Sequence, residues 1–163
     1  MQYKIKKLIF ESEKNILSFY KEVNQNENGF FIESPEEFEN FQDFIFHFKN
    51  KEDTFSFTEI PEEIFCLILK NKIIGLLKIR TRLNNDFFFK GGHLSYYIHP
   101  NFRNQGYGNI IFQYGLSLLK KRELNRILVT VLKNNYSSIK IIENFNGILF
   151  ENNDFFYKYW INI

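Results

Sequence analysis

The chain opens on an alternation of apolar and polar positions. Tyr3, Ile5 and Ile9 share one parity while Lys4 and Lys6 take the other, the period-two pattern of a strand with one face on a core. Ile16, Tyr20 and Val23 then recur at helical spacing and predict a first helix, followed by a polar loop over residues 24–29. Ser34-Pro35-Glu36-Glu37 combines a capping hydroxyl, a proline at the first helical position and a glutamate three residues past the cap. With Phe38, Phe41, Ile45 and Phe48 stepping by three, four and three, it predicts one continuous helix from the cap onward. After a polar segment over residues 49–63, the apolar runs 64–69 and 73–79 form a hairpin about Asn71, with Gly75 inside the second strand. Residues 81–91 read as a loop. Residues 92–99 read as a strand closed by Pro100, which cannot donate to a sheet ladder.

From Gly106 onward, Tyr107, Ile111, Tyr114 and Leu118 lie on one helical stripe that ends near Lys120 and Lys121, cations suited to a helix C-terminus. A strand over residues 126–132 follows, then a short helix marked by Ser138, Ile141, Ile142 and Phe145. The chain closes with a run over residues 147–151, a turn at Asn152-Asn153, and a half-buried strand whose odd positions (Phe155, Tyr157, Tyr159, Ile161, Ile163) are all apolar or aromatic. The order βααβββαβαββ is that of a mixed α/β fold with about seven strands and about four helices. Nothing resembling a linker interrupts it, so residues 1–163 read as a single domain.

Composition supports a folded core and removes several classes of function. The 163 residues are 44% hydrophobic and 19% aromatic, far from the composition of a disordered segment. Lys plus Arg at 21 against Asp plus Glu at 19 leaves +2, too small a surplus for the phosphate contacts that drive nucleic-acid binding. Cys66 is the sole cysteine and His47, His93 and His99 do not fall at ligand spacings, so neither a disulfide framework nor a metal site is expected. Cys66 itself, inside an apolar strand, reads as an inert core residue. No apolar run approaches a membrane span and the first residues lack a signal-peptide core, so a cytoplasmic protein without membrane association is expected.

The stretch that carries chemistry is Pro100-Asn101-Phe102-Arg103-Asn104-Gln105-Gly106-Tyr107-Gly108, set between a predicted strand and a predicted helix. The first N–H groups of a helix lack internal partners and sit at the positive end of its dipole, so an anion is held there by backbone donors. Gly106 and Gly108 remove side chains where a phosphate would approach, and Arg103 adds a planar cation. Two glycines alone would equally suit a plain tight turn. Neither the G-x-x-x-x-G-K-[ST] loop nor a G-x-G-x-x-G with a ribose-binding acid is present.

The pattern R-x-x-G-x-G at Arg103 to Gly108 resembles the acetyl-coenzyme A signature of the GNAT family of N-acetyltransferases, and the element order is similar to that fold. A second block agrees: Asn135-Tyr136-Ser137-Ser138 and the helix up to Gly147 look like the family's N-x-x-S helix and its following glycine. Arg80-Thr81-Arg82-Leu83-Asn84 and Gly91-Gly92-His93-Leu94-Ser95-Tyr96 resemble, more narrowly, a bacterial subgroup of predicted acetyltransferases with an R-h-x-L-N stretch and a G-G-H-I-G-Y strand. The resemblance is good over roughly residues 64–151, and residues 1–63 match in element order only.

That resemblance implies a mostly antiparallel sheet whose fourth and fifth strands splay apart, with acetyl-coenzyme A as co-substrate and no metal. It implies that the amides of Gln105, Gly106, Tyr107, Gly108 and Asn109 hold the pyrophosphate, with Arg103 and Asn104 lining its approach. The backbone of Ile98 would pair with the pantetheine arm and polarise the thioester carbonyl, Asn135 would meet the pantetheine amides, and Ser138 would lie near the thiol. An amine, on a small molecule or a peptide, would attack directly. Many relatives place a proton-donating Tyr seven residues after the Asn; here that position is Ile142, which has no proton to give. A domain that binds acyl-coenzyme A without turnover, as a sensor or partner-binding module, is the alternative this substitution keeps open.

For the base, His93 is the leading candidate, since an imidazole near pKa 6.5 can take a proton at neutral pH. A histidine merely bonded to the loop 81–91 fits the sequence as well. Tyr97, on the same strand face, is the fallback as acid or water-holder, and His99 reads as a strand-end residue. Charge is divided: residues 33–63 hold ten acids and two lysines, a net −8, leaving +10 on the remainder. The basic remainder suits a polyanionic coenzyme, and the acidic segment, if it flanks the acceptor, would draw in a cationic amine. The aromatic C-terminal strand admits both pairing across a homodimer and closure within its own sheet.

Overall fold

The structure, a computed structural model, describes residues 2–24, 26–54 and 59–163. β1 (Tyr3–Lys7), β2 (Glu62–Leu69), β3 (Lys72–Arg80) and β4 (Leu94–Ile98) form one antiparallel sheet in that order. β5 (Arg126–Leu132), β7 (Phe156–Asn162) and β6 (Ile148–Asn152) form a second, with β7 in the middle. Among the described residues five α-helices pack on these sheets: α1 (Glu13–Glu22), α2 (Phe41–Asp53), α3 (Asn85–Lys90), α4 (Tyr107–Lys121) and α5 (Tyr136–Asn144). No helix among them is long and apolar enough to cross a membrane.

β2 and β3 read as unbroken apolar runs because both of their faces are covered. Ile64, Cys66 and Ile68 join Ile16, Phe19, Phe44 and Phe48 of α1 and α2, while Phe65, Leu67 and Leu69 join Ile111, Phe112 and Leu119 of α4. The β2–β3 hairpin turns through Lys70 and Asn71, both left-handed (φ 48° and 63°), as a two-residue loop of right-twisting strands requires. Its register slips between Leu67 and Ile68, leaving Ile74 unpaired, and this bulge puts Ile74 and Leu77 on the same side although they are three apart. Gly75 follows the bulge because a Cβ there would come within 2.8 Å of both the Tyr97 carbonyl and Ile98 Cδ1.

Several boundaries differ from the sequence expectation. The capping box at Ser34 forms, with the Ser34 N–H donating to Glu37 Oε1 at 2.6 Å, but it heads only a single 3₁₀ turn, Pro35–Glu37. Phe38 is extended, and α2 starts afresh at Phe41 because Asn40 caps it, accepting from the Asp43 N–H at 3.0 Å. The polar segment 49–63 is in part the end of α2 and the start of β2; residues 55–58 of it lie outside the described residues. The expected loop 81–91 contains α3, capped by Asn84 through the Phe87 N–H at 3.0 Å. In the last strand, Phe155 is 74% exposed and precedes β7, whereas the even-numbered Phe156 and Lys158 are buried. Lys158 is accommodated by Glu151 at 2.9 Å and by the rings of Phe88 and Phe89, 5.2 and 5.0 Å from its ammonium.

The two sheets are joined at one point. Gly92 and Val129 form an isolated bridge, the His93 N–H donates to the Leu128 carbonyl at 2.8 Å, and the Leu128 N–H donates to His93 Nδ1 at 2.9 Å. His93 is therefore a structural connector between β4 and β5. Burial, helped by the nearby Arg80 charge, brings its pKa down to about 4, and the ring nitrogen that accepts from Leu128 is the unprotonated one. A histidine kept neutral by the fold and free to ionise near 6.5 when unfolded stabilises the protein above pH 6.5 and withdraws that contribution as pH falls toward 4. Stability followed by urea unfolding should thus drop across this window by an amount on the order of 2 kcal/mol, allowing for partial solvent screening. His93→Asn, whose amide oxygen can take the place of Nδ1, should flatten that part of the pH dependence; an unchanged slope would show the imidazole does not titrate this way.

Candidate active site

Beyond the His93 junction, β4 and β5 part. The His99 N–H donates to the Ile74 carbonyl at 2.9 Å, and Leu76 and Lys78 stand opposite Tyr97 and Ser95. Bonded pairs alternate in an antiparallel ladder, so the backbone groups of Tyr96 and Ile98 point away from β3, into the gap toward β5. The Ile98 carbonyl there accepts from Arg103 Nε at 3.0 Å.

The gap leads to the start of α4. Pro100–Phe102 makes a 3₁₀ turn, Asn104 is left-handed (φ 59°), and Gly106 at φ 85° is the N-cap, with no side chain capping the helix. The first helical bond runs from the Ile110 N–H to the Gly106 carbonyl at 3.2 Å, which leaves the Gly108 and Asn109 amides without helical acceptors. A Cβ at Gly106 would meet nothing within 4 Å, so its bare surface faces open space, whereas one at Gly108 would strike Ile141 Cδ1 at 2.7 Å. Gly106 serves the backbone turn; Gly108 serves the packing of α4 on α5. A cavity of 480 Å³ runs from this helix start past Asn104, Asn109 and Ile98 to Asn135 and Ser138, with Lys140 on its wall.

The side chains of this loop are less available than the sequence suggests. Arg103 is the clearest correction: its guanidinium makes two bonds of 2.7 Å to Glu27, in addition to holding the Ile98 carbonyl. The ion pair with Glu27 raises its pKa further and uses its charge, so it lines the cavity as a neutralised clamp. Gln105 turns its amide back onto the Asn101 carbonyl at 3.0 Å, and Tyr107 is buried in the core, so these two offer only their main chain to a ligand.

A second cavity, of 340 Å³, adjoins the first; the two share Asn28, Phe30, Tyr96, Asn135 and Ser138. At that seam the Tyr96 hydroxyl donates to Ser138 Oγ at 3.0 Å, while Asn135 caps α5 by accepting from the Ser138 N–H at 3.3 Å. Burial pushes the Tyr96 phenol up to about 12 against a small opposing effect of Ser138, so it stays protonated at neutral pH. Ile142 lies on the wall of the second cavity.

The two expected proton carriers are not at the seam. His93 lines none of the described cavities, being occupied in joining the sheets, and at a pKa of about 4 it has little basicity for an ammonium. Tyr97 lines the first cavity but not the second; its ring packs against Phe19 and Phe30, its hydroxyl is engaged by Glu27 Oε2 at 3.1 Å, and burial together with Glu27 raises it to about 12. The residue that does reach the seam, Tyr96, was passed over; its parity with Ile98, whose backbone role was expected, is the signal that could have found it. Cys66 is fully buried with its thiol pKa pushed up by burial, as expected of a core residue. Among the described residues no group of three or more His, Cys, Asp or Glu could hold a metal ion.

The charge expectation also needs correction. Of the ten acids in residues 33–63, only Glu33 and Glu62 line the second cavity, and both are already paired. Lys51 holds Glu33, whose carboxyl burial would raise but whose ion pair and backbone bond keep at about 2. Glu62 lies between Lys78, at 3.2 Å, and Arg80, and these charges outweigh burial to hold it below the usual carboxylate range.

Comparison with known proteins places this geometry. Residues 17–147 match the model of the acetyltransferase (GNAT) family. No curated protein matches the chain. Among solved structures, the GNAT domain of Streptomyces lividans PAT is 12% identical with a TM-score of 0.69, the alignment covering 99% of this chain and 90% of that one. Campylobacter jejuni N-acetyltransferase PseH, solved in complex with acetyl coenzyme A, is 19% identical with a TM-score of 0.61 and 99% of each chain covered. The spermidine/spermine N-acetyltransferase SpeG of Vibrio cholerae, in mutant forms, is 14% identical with a TM-score of 0.64, over 99% of this chain and 95% of that one. With two sheets parting between β4 and β5, an R-x-x-G-x-G helix start beside the gap and a family match over most of its length, this chain belongs to the GNAT family of acetyltransferases.

Proposed function

We propose that the chain is a single-domain N-acetyltransferase that passes the acetyl group of acetyl-coenzyme A directly to a primary amine of a small molecule or peptide. The observation that carries the reading is the seam: two adjoining cavities share the hydrogen-bonded Tyr96–Ser138 pair, and one of them ends on the uncapped start of α4. The residues present fit the coenzyme. The amides from Gln105 to Asn109 would hold its pyrophosphate across the bare surface of Gly106, with Asn104 and Lys140 beside them. Asn135 would meet the pantetheine amides, and the gap-facing Ile98 N–H would donate to the thioester carbonyl, where main-chain donors matter most as negative charge develops.

The bound thioester supplies the activated acetyl group; the chain supplies position and hydrogen bonds. Tyr96 takes over the donor role for which Ile142 is unfit: its one O–H turns from Ser138 Oγ to the leaving sulfur while the Ser138 hydroxyl rotates to donate to the phenol oxygen, and burial keeps the phenol protonated. Glu33 and Glu62, held below the ordinary carboxylate range, are poor bases, and His93 lies elsewhere. The acceptor amine therefore gives up its proton to solvent in the open cleft. A non-catalytic acyl-coenzyme A sensor would bind the coenzyme yet release no free thiol with any amine, so a thiol-release assay over an amine panel separates the two.

Three further outcomes are expected. Gly106→Val, which puts a β-branched side chain at φ 85° where strain alone costs roughly 1–2 kcal/mol, should raise the acetyl-coenzyme A Kd at least tenfold by calorimetry while lowering Tm by only a few degrees. Unaltered affinity would remove the pyrophosphate from this helix start. Tyr96→Phe should lower kcat about 10–100-fold with little change in coenzyme Kd, and a kcat equal to wild type would take Tyr96 out of the reaction. Because only the neutral amine attacks, kcat/KM should climb with pH up to the acceptor's own pKa; an inflection near 6.5 that vanishes in His93→Asn would instead restore the histidine as base.

A further inference from the structure

We infer that the second cavity recognises an anionic group, a carboxylate or a phosphate, on the amine acceptor through Lys78, Arg80 and Thr130. The inference rests on the acetyl-transfer reading for the identity of the ligand as acceptor. Lys78 and Arg80 are two apart on β3 and so project from the same face. Both are 5% exposed, both line the cavity, and both are held by one carboxylate, Glu62. Two cations on one anion leave an uncompensated positive charge in a nearly dry wall. Lys51 does not alter the balance, because Glu33 matches it; Lys90, also on the cavity wall, adds a positive charge with no carboxylate within 4 Å among the described residues.

Two polar atoms on this wall lack partners among the described residues. Arg80 donates to the Gly92 carbonyl at 3.2 Å and pairs with Glu62, yet its buried Nε has no acceptor. Across the cavity on β5, the buried Thr130 Oγ1 has no partner either. Leaving a buried charged donor unsatisfied is expensive, and a buried ionic surplus is tolerated where a counter-charge completes it. A guanidinium and a hydroxyl facing one space are the donors a carboxylate or phosphate accepts from, and the guanidinium adds planar fork geometry. Burial pulls the pKa of Lys78 and of Arg80 downward in spite of Glu62, the direction an entering anion would reverse. A purely cationic acceptor such as a diamine would bring like charge against this wall. Anchored here by its anionic end, an acceptor extends its amine toward the seam at Tyr96 and Ser138, which belong to the same cavity.

The test is a matched acceptor series assayed by thiol release: 4-aminobutyrate, butylamine and 1,4-diaminobutane for the carboxylate arm, glucosamine 6-phosphate and glucosamine for the phosphate arm. At least one member bearing an anionic group should exceed its partner lacking that group at least tenfold in kcat/KM, with the diamine poorest, and the arm that does so identifies the group. Thr130→Val, nearly isosteric, should raise KM for that acceptor several-fold, and Arg80→Gln should erase the discrimination, each leaving the acetyl-coenzyme A Kd unaltered. Should Arg80→Gln fail to fold without Glu62's partner, Thr130→Val and the acceptor series decide alone. Neutral or cationic amines turned over as well as anionic ones overturn the inference and leave acetyl transfer standing. If no amine is acetylated, acetyl transfer falls, and calorimetry of 4-aminobutyrate and glucosamine 6-phosphate with coenzyme present then decides the subsite: binding weakened several-fold by Thr130→Val supports it, and no binding, or binding that Thr130→Val leaves unchanged, overturns it.

Discussion

The fold turns on a strand pair that begins to form and stops. β4 and β5 are tied by the Gly92–Val129 bridge and the two bonds between His93 and Leu128, and they share no ladder beyond it. Unpaired strand edges inside a protein carry a penalty unless their N–H and C=O groups find partners. Here the Ile98 carbonyl finds one in Arg103, which leaves the donor side of the edge to an extended ligand. The cavity is thus a consequence of where pairing ends. The bulge at Ile74 and the glycine after it bring β3 and β4 close enough for Ile98 to reach that position.

The two sides of the cleft manage charge in opposite ways. On the side proposed for the coenzyme, the Arg103 guanidinium is already paired with Glu27, so anion binding there would rest on backbone dipoles equivalent to about half a charge at the helix start and on Lys140. On the side proposed for the acceptor, two buried cations share one carboxylate. The net charge of a segment says little about such a site. Residues 33–63 are strongly acidic, yet their two acids that reach the cleft, Glu33 and Glu62, are cancelled by Lys51, Lys78 and Arg80, two of which come from β3.

The parts that were legible in the sequence are those written in local pattern. Apolar runs of strand length mark β2, β3 and β5, Pro100 marks the end of β4, and the helix from Gly106 is placed to within a residue, because cover on both sheet faces and one helical stripe impose those patterns directly. α3 escaped because six residues are too few to show a helical period, and Asn84-Asn85-Asp86 looks like a turn; the same asparagine acts as its cap. The helix at Ser34 was overextended because two caps six residues apart compete, and the signal does not say which governs the longer run. The backbone part of the site was legible for a related reason: glycines and a helix start are local. The roles of His93, Tyr97 and Arg103 were not, since each is fixed by a residue distant in sequence, Leu128 for the first and Glu27 for the other two.

The relocation of the proton donor illustrates what a seam demands. A phenol can reach the junction of the two cavities from α5 or from β4, and with Ile142 on the α5 wall, Tyr96 reaches it from β4 and engages Ser138 of the same helix. Its chemistry is limited by burial. With the phenol at about 12 and an ordinary thiol near 8.5, complete proton transfer to a departing thiolate would run uphill by roughly 5 kcal/mol. Donation of a charge-assisted hydrogen bond has no such barrier and is about twice as strong as a neutral one. Tyr96 under the proposed reaction therefore acts by stabilising developing negative charge on sulfur while keeping its proton, and the ammonium formed on the acceptor, shedding its proton to water, closes the proton balance.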